Sequence, residues 1–471
     1  MTINNTNKKV SRSEALLWVL IIALYAFILY YFKNRCPEIS FVRFCVLSSL
    51  VILLLQIRRI VIVSGSIISP CLIYLGLYYV FQNGLLLLSL FETDFNSFYL
   101  NYFQLHLKDA TIFASISNLV AGYTCFLVNA FNNRRSKYDK LDSIQESIIS
   151  QKAFRGFIFS GLVAIPLIFL KATVALKGGY FAVRDYESTI PFVFNFIEYM
   201  FMPFVVLSLL YSFGIRKKIV IACAIVWLLL TSFCGDRTTG LSGILIIAVI
   251  NYKAGNNNTN SKKKLIKLAI VLIALVFFVQ LFGIIRGQGS ISDMQGQENS
   301  FIHFLGELGF SSITLFAMMD IVPGSEAFLN GTGYLASLVS GFLPASIDPT
   351  GTIDELVQYR ALPEVWMEDY YDFGFGLGFS LNSEAYINFG WFGLLFLFFI
   401  NYVVFYFLNY SSHRSNSTKF DYYVTFILLF LWCTLPRRDS YYIWKALMYS
   451  VIVIRWYLIL SSNKKVSDGA I

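Results

Sequence analysis

Apolar runs about 18 to 25 residues long recur along the whole chain, and a helix of that length crosses a bilayer. They fall at 15–32, 39–57, 67–90, 110–130, 156–176, 192–213, 219–234, 238–252, 265–283, 385–408, 422–435 and 441–460, the runs at 238–252 and 422–435 being short. A backbone in lipid must satisfy its own hydrogen bonds, so these runs predict helices. The expected fold is all-α, a single polytopic integral membrane domain over 1–471 with about twelve transmembrane helices. Composition agrees: 14% of the residues are charged, 57% are hydrophobic and mean hydropathy is +0.63. A soluble domain carries about 25% charged residues and could not be coated by so few. The seven cysteines form no CxxC pair and predict no disulfide framework. The first run follows Lys8, Lys9 and Arg12 and is too long for a cleaved leader, so it is expected to stay as an anchor.

The basic residues orient the bundle. With the N-terminus inside, the inner segments collect Arg58, Arg59, Arg134, Arg135, Arg216, Lys217, Lys218, Lys262, Lys263 and Lys264, and with their neighbours well over half of the 37 Lys and Arg. That is the positive-inside pattern, and it puts both termini in the cytoplasm. The net charge of +9 is thereby a topology signal and calls for no nucleic-acid partner. One expected outer segment, 284–384, is far longer than a turn. Its apolar stretch 301–319 is interrupted by Gly306, Glu307, Gly309 and Ser311, and counting it as a crossing would invert every later basic loop. It reads as a re-entrant or interfacial helix within a large outer loop.

Chemistry is expected where arginine, with its planar and permanently charged fork, replaces lysine. Arg184, Arg237, Arg286, Arg360, Arg437 and Arg438 lie in outer segments. Three short turns carry four of them at span ends: Cys-Gly-Asp-Arg at 234–237, Ile-Ile-Arg-Gly at 284–287 and Pro-Arg-Arg-Asp-Ser at 436–440. Such positions suit a lipid-linked phosphate. The structural alternative is that each arginine anchors at the interface or pairs with an acid, Asp236 and Asp439 being the nearest. Glu384 follows a glycine-rich stretch at the start of a span, where a carboxylate is favoured by the helix dipole. The acid pairs Glu92/Asp94 and Asp185/Glu187 are too short a pattern to specify a metal site, and neither metal nor cofactor is expected.

The segment 376–393, GLGFSLNSEAYINFGWFG, resembles the hallmark run of the O-antigen polysaccharide polymerase (Wzy) family, Gly-x-Gly-x-Ser followed by Glu-x-Tyr-x-Asn-Phe-Gly entering a late span. The turn at 436–440 resembles the Arg-Gly-Asp-Ser-like turn one span later, with Arg438 where glycine is usual, and Cys-Gly-Asp-Arg resembles the mid-chain outer arginine. The motifs cover about forty residues, while the topology is similar over the whole chain.

The resemblance implies a glycosyltransferase that polymerises lipid-linked oligosaccharide repeat units of a surface polysaccharide, lipopolysaccharide O-antigen or capsule. It would act on the outer face of the bacterial cytoplasmic (inner) membrane. The growing glycan leaves its polyprenyl (undecaprenyl) diphosphate and joins a sugar hydroxyl of a lipid-linked acceptor. A chain-length regulator and a flippase are implied partners. Because diphosphate is already a good leaving group, the protein mainly neutralises charge there. Arg237, Arg286, Glu384 and His303 are the catalytic candidates, with Glu307 a further candidate base. Arg437, Arg438, Arg360, Arg184, Trp366 and Asp369 are the substrate-binding candidates. Ordinary structural roles remain open for His303 and for the aromatic residues.

Two other readings share much of this pattern. An O-antigen ligase would differ in its acceptor. A flippase of lipid-linked oligosaccharides should carry ionisable groups along a central path. Here only Arg43, Lys171, Lys445, Arg455 and Glu198 lie well within spans, which favours an enzyme at the surface.

Overall fold

The computed structural model describes residues 11–91, 106–132, 137–138, 143–254, 308–343, 352–371, 379–413 and 416–463. Apart from a two-residue parallel strand pair, Lys137–Tyr138 with Asn416–Ser417, the regular structure there is helical. Eight of the described helices are long and apolar enough to cross a membrane, and the chain is an all-α polytopic membrane protein. Each expected run that falls on described residues coincides with a helix except 385–408, which two helices share, and those at 238–252 and 422–435 are short; 265–283 lies outside the described residues.

The chain divides into two compact units. The first takes α1 (Arg12–Lys33), α2 (Glu38–Ser64), α3 (Pro70–Leu87) and α4 (Leu107–Asn132). It also takes α9 (Ile313–Ile321), α10 (Thr332–Phe342), α11 (Thr352–Tyr371), α12 (Leu381–Phe389) and α13 (Gly393–Leu408), and the turn Leu435–Lys445. The second takes α5 (Ser143–Thr189), α6 (Phe192–Tyr211), α7 (Gly214–Phe233), α8 (Arg237–Ala254) and α14 (Lys419–Trp432). The last helix, α15 (Tyr441–Leu460), continues into this second unit from Ala446.

Local chemistry sets the helix ends. Ser11 caps α1 by accepting from the Glu14 N–H, and Ser69 caps α3 ahead of Pro70 in its first turn. Thr418 and Asp421 form a reciprocal capping box on α14. In the first unit α4 is the hub, 83% of its apolar window being buried against 17% for α1. It packs against α1, α2, α3 and α13.

The short helices of the first unit do not behave as spans. Thr314, Leu315, Phe316, Ala317 and Met318 of α9 are all buried, so this helix presents no apolar face to lipid. The stretch 381–408 is expected to enter the membrane as one helix from Ala385, but the chain reverses inside it. Gly390 adopts φ 56°, ψ −135°, a conformation open to glycine. Gly393 then lies against the Ala385 carbonyl, where an added Cβ would sit 2.3 Å from the oxygen. Phe389 and Phe396 stack with centroids 4.1 Å apart, whereas seven residues of continuous helix advance about 10 Å. The span therefore begins at α13, and α12 lies beside it as a separate short helix.

The N-terminus of α12 is buried and fully engaged. The Tyr78 hydroxyl donates to Asn382 Oδ1 at 2.9 Å, and Asn382 Nδ2 donates to Ser117 Oγ at 2.9 Å. Ser383 shares hydrogen bonds of 2.7 Å with Thr314 and with Ser380. Helices α3, α4 and α9 thus hold α12 through polar contacts that a membrane interior makes costly to leave unpaired.

In the second unit, α5 folds back on itself at Gly179 (φ 72°, ψ −163°). The fold-back brings Glu187 to within 2.8 Å of Lys171 Nζ, which also meets Glu198 of α6 at 2.8 Å. The Lys171 and Glu198 side chains are 8% and 10% exposed, a buried ion pair between neighbouring helices.

Candidate functional site

Five residues, Pro436 to Ser440, link α14 to α15, and three different helices fix them in place. The turn begins as a 3-10 segment, Leu435–Arg437, and Gln82 of α3 donates its Nε2 to the Pro436 carbonyl at 2.5 Å. At its other end the Ser440 N–H and hydroxyl donate to the two oxygens of Glu384, at 2.8 and 2.7 Å. Ser337 of α10 donates a third hydrogen bond to the same carboxylate at 3.1 Å. Glu384 is 3% exposed, so its oxygens are met by hydroxyl and amide donors instead of water.

Asp439 points the other way and pairs with Arg360 of α11. Burial works against the Arg360 charge, yet the Asp439 carboxylate outweighs it and holds the guanidinium above its ordinary value. The Arg360 guanidinium also lies over the Tyr441 ring, 3.7 Å from its centroid. The second Asp439 oxygen, Oδ1, is buried without a hydrogen-bond partner among the described residues.

Arg437 and Arg438 remain half-buried on this anchored turn. Arg437 lies over Phe81 at 5.9 Å and Arg438 over Tyr442 at 4.3 Å. Arg438 has no carboxylate partner among the described residues; the acid next to it in sequence is taken by Arg360. Two adjacent, half-buried guanidiniums braced on aromatic faces are suited to a phosphate-bearing ligand.

The other expected site residues are distributed differently. Trp366 on α11 is 6% exposed and packs inside the first unit, while Asp369 three residues on is exposed. Arg237 opens α8 in the second unit, where Asp236 accepts from the Thr238 hydroxyl and the Thr239 N–H. The Arg184 and Arg237 side chains, and Arg286, His303, Glu307, Glu92 and Asp94, lie outside the described residues. Of the acid pair at 185 and 187, Glu187 is engaged by Lys171. Arg360, Glu384, Arg437 and Arg438 are brought together around one turn. Gln82, Ser337 and Ser440 complete that cluster, and no sequence motif singles out the first two. A glutamine inside an apolar run was the one available signal.

A multi-pass, all-helical membrane protein with a buried carboxylate fastening an arginine turn is the class these features define. The family model for O-antigen polysaccharide polymerase Wzy matches residues 15–465, nearly the whole chain, and the chain belongs to that family. Membership makes it a glycosyltransferase-like polymerase acting on lipid-linked oligosaccharide repeat units. Comparison with curated proteins and with solved structures returned no match.

Proposed function

We propose that this polymerase transfers the growing glycan from a polyprenyl diphosphate to a sugar hydroxyl of a lipid-linked repeat unit. The reaction takes place on the outer face of the bacterial cytoplasmic membrane. The observation that carries the reading is the anchored turn 436–440, which sets Arg437 beside an Arg438 that pairs with no carboxylate among the described residues. Their charge opposes the charge that builds on the departing diphosphate. Arg237 and Arg286 are proposed as further phosphate-binding arginines, and Arg360 is proposed to fix the turn through Asp439. Glu384 is proposed to position the arginines, since all its described contacts are to donors of the protein. The proposed chemistry requires no metal, because guanidinium groups do the neutralising.

The test is deletion of the gene and complementation with Arg→Lys variants at 237, 286, 437 and 438, the surface glycan being resolved on a gel. Deletion leaves core carrying a single repeat unit; a ligase would leave no attached glycan. Lysine keeps the charge and loses the fork, so each variant should lose about ten- to a hundredfold in polymerisation rate. Full-length polymer from all four at normal protein level would overturn the reading. Polymerisation by the purified protein should survive EDTA; loss restored by Mg²⁺ would overturn the metal-free chemistry.

A further inference from the structure

Transfer to a hydroxyl needs somewhere for its proton to go, and both acids at the arginine turn, Glu384 and Asp439, are already engaged. Elsewhere in the first unit, a histidine meets a carboxylate at a partly open position. His106, immediately before α4, places Nε2 3.2 Å from Asp320 Oδ1 at the end of α9. The two side chains are 31% and 38% exposed, so the pair is accessible. Asp320 is held in turn by the hydroxyl of Tyr371, the last residue of α11. Burial and the Asp320 carboxylate push the Tyr371 phenol up, which keeps it a donor. With Nε2 turned to the carboxylate, His106 Nδ1 has no hydrogen-bond partner among the described residues.

The pair is tied to the arginine turn through one short helix. Glu384 of α12 holds Ser440, and Tyr386, two residues on, donates its hydroxyl to the carbonyl of Val322 at 3.3 Å, two residues past Asp320. Two elements that hold the arginine turn, α11 and α12, therefore also meet this pair, α11 through Tyr371 and α12 through the chain just past Asp320.

We propose that His106 is the general base of glycosyl transfer and that Asp320, steadied by Tyr371, orients its ring. The proposal rests on the lipid-linked transfer reading above. In the step, the acceptor hydroxyl oxygen forms a bond to the anomeric carbon of the donor sugar. The bond from that carbon to the diphosphate oxygen breaks, and its electron pair leaves on the diphosphate. The hydroxyl proton moves to His106 Nδ1 and then to water. The Nε2–H stays on Asp320, whose charge faces the imidazolium while it exists.

The experiment measures elongation of a lipid-linked repeat unit by the full-length protein in nanodiscs. His106→Ala should lose about a hundredfold or more in kcat with little change in KM, and added imidazole should restore part of it. His106→Gln keeps a donor for Asp320 but has no basic nitrogen, so it should unfold at the wild-type temperature and remain inactive. Asp320→Asn should lower kcat by a smaller factor. Wild-type rates in His106→Gln overturn the proposal and leave the polymerase reading standing. A loss in His106→Ala that imidazole does not relieve also overturns it, since the histidine would then be structural. If wild-type protein elongates no lipid-linked unit, the polymerase reading fails first and this inference with it.

Discussion

At the residue scale, the informative group is Glu384, because its carboxylate accepts from three donors and is closed to water. Glu384→Gln keeps the size and replaces one acceptor oxygen by an NH₂. Its oxygen can stay on the Ser440 N–H, but the NH₂ then faces the Ser440 and Ser337 hydroxyls, which must accept where they donated, weakening the hold on the turn by about 1 kcal/mol. The expected outcome is a lower unfolding temperature in detergent together with shortened polymer. Glu384→Asp should not rescue either property, being one methylene short of Ser440. A Gln variant with wild-type unfolding and full-length polymer would show that the turn is held by other contacts. Arg360 gives the residue-scale contrast. Sequence adjacency makes Asp439 a partner for Arg437 or Arg438, yet it pairs with Arg360, 79 positions away, and that choice leaves Arg438 without the neighbouring carboxylate.

At the scale of elements, the reversal between α12 and α13 makes a sharp distinction between two glycines. Gly393→Ala would drive a Cβ to 2.3 Å from the Ala385 carbonyl oxygen, which belongs to backbone and has little room to yield. Gly390→Ala meets only the Phe328 ring at 3.1 Å, and its φ of 56° with ψ −135°, a region that favours glycine, costs about 1–3 kcal/mol. Both should destabilise the protein, Gly393→Ala the more, measured as detergent-solubilised protein surviving a heat step. The second element-level prediction concerns the ion pair between α5 and α6. Lys171→Met strands the buried Glu198 carboxylate and should cost about 3–5 kcal/mol. The double variant Lys171→Met/Glu198→Leu removes both charges and should recover most of that loss. Equal stability of the single and double variants would mean that the pair is solvated.

These elements also show what could be read in advance. Helices α1 to α6 follow the apolar runs because length and hydropathy alone dictate a crossing helix. The reversal at 390–393 was not legible, since the residues on both sides of it, 385–408, are mostly apolar and Gly-Trp-Phe-Gly permits a turn without requiring one. Lys171 and Glu198 stood out as charges within spans, but their pairing depends on which faces of α5 and α6 meet. The arginine turn was legible as a motif, whereas Gln82 and Ser337 reach it from positions distant in sequence.

At the scale of the whole molecule, we propose the basic-loop orientation with both termini cytoplasmic and 284–384 outside. Ser325 is exposed and lies in that segment. Ser325→Cys in a background without native cysteine should react with an impermeant thiol reagent added to intact spheroplasts. Labelling only after permeabilisation would place the segment inside and move the arginine turn away from the proposed acceptor. The fastening of Ser440 to Glu384 has a consequence for engineering. The two residues are 56 positions apart, one on α12 and one on the turn, with Ser337 contributed by α10. A chimaera that exchanges only the 436–440 turn between relatives would import arginines without the carboxylate that aims them. Substrate preference should therefore move between relatives only when 332–342, 381–393 and 436–440 are exchanged as one block.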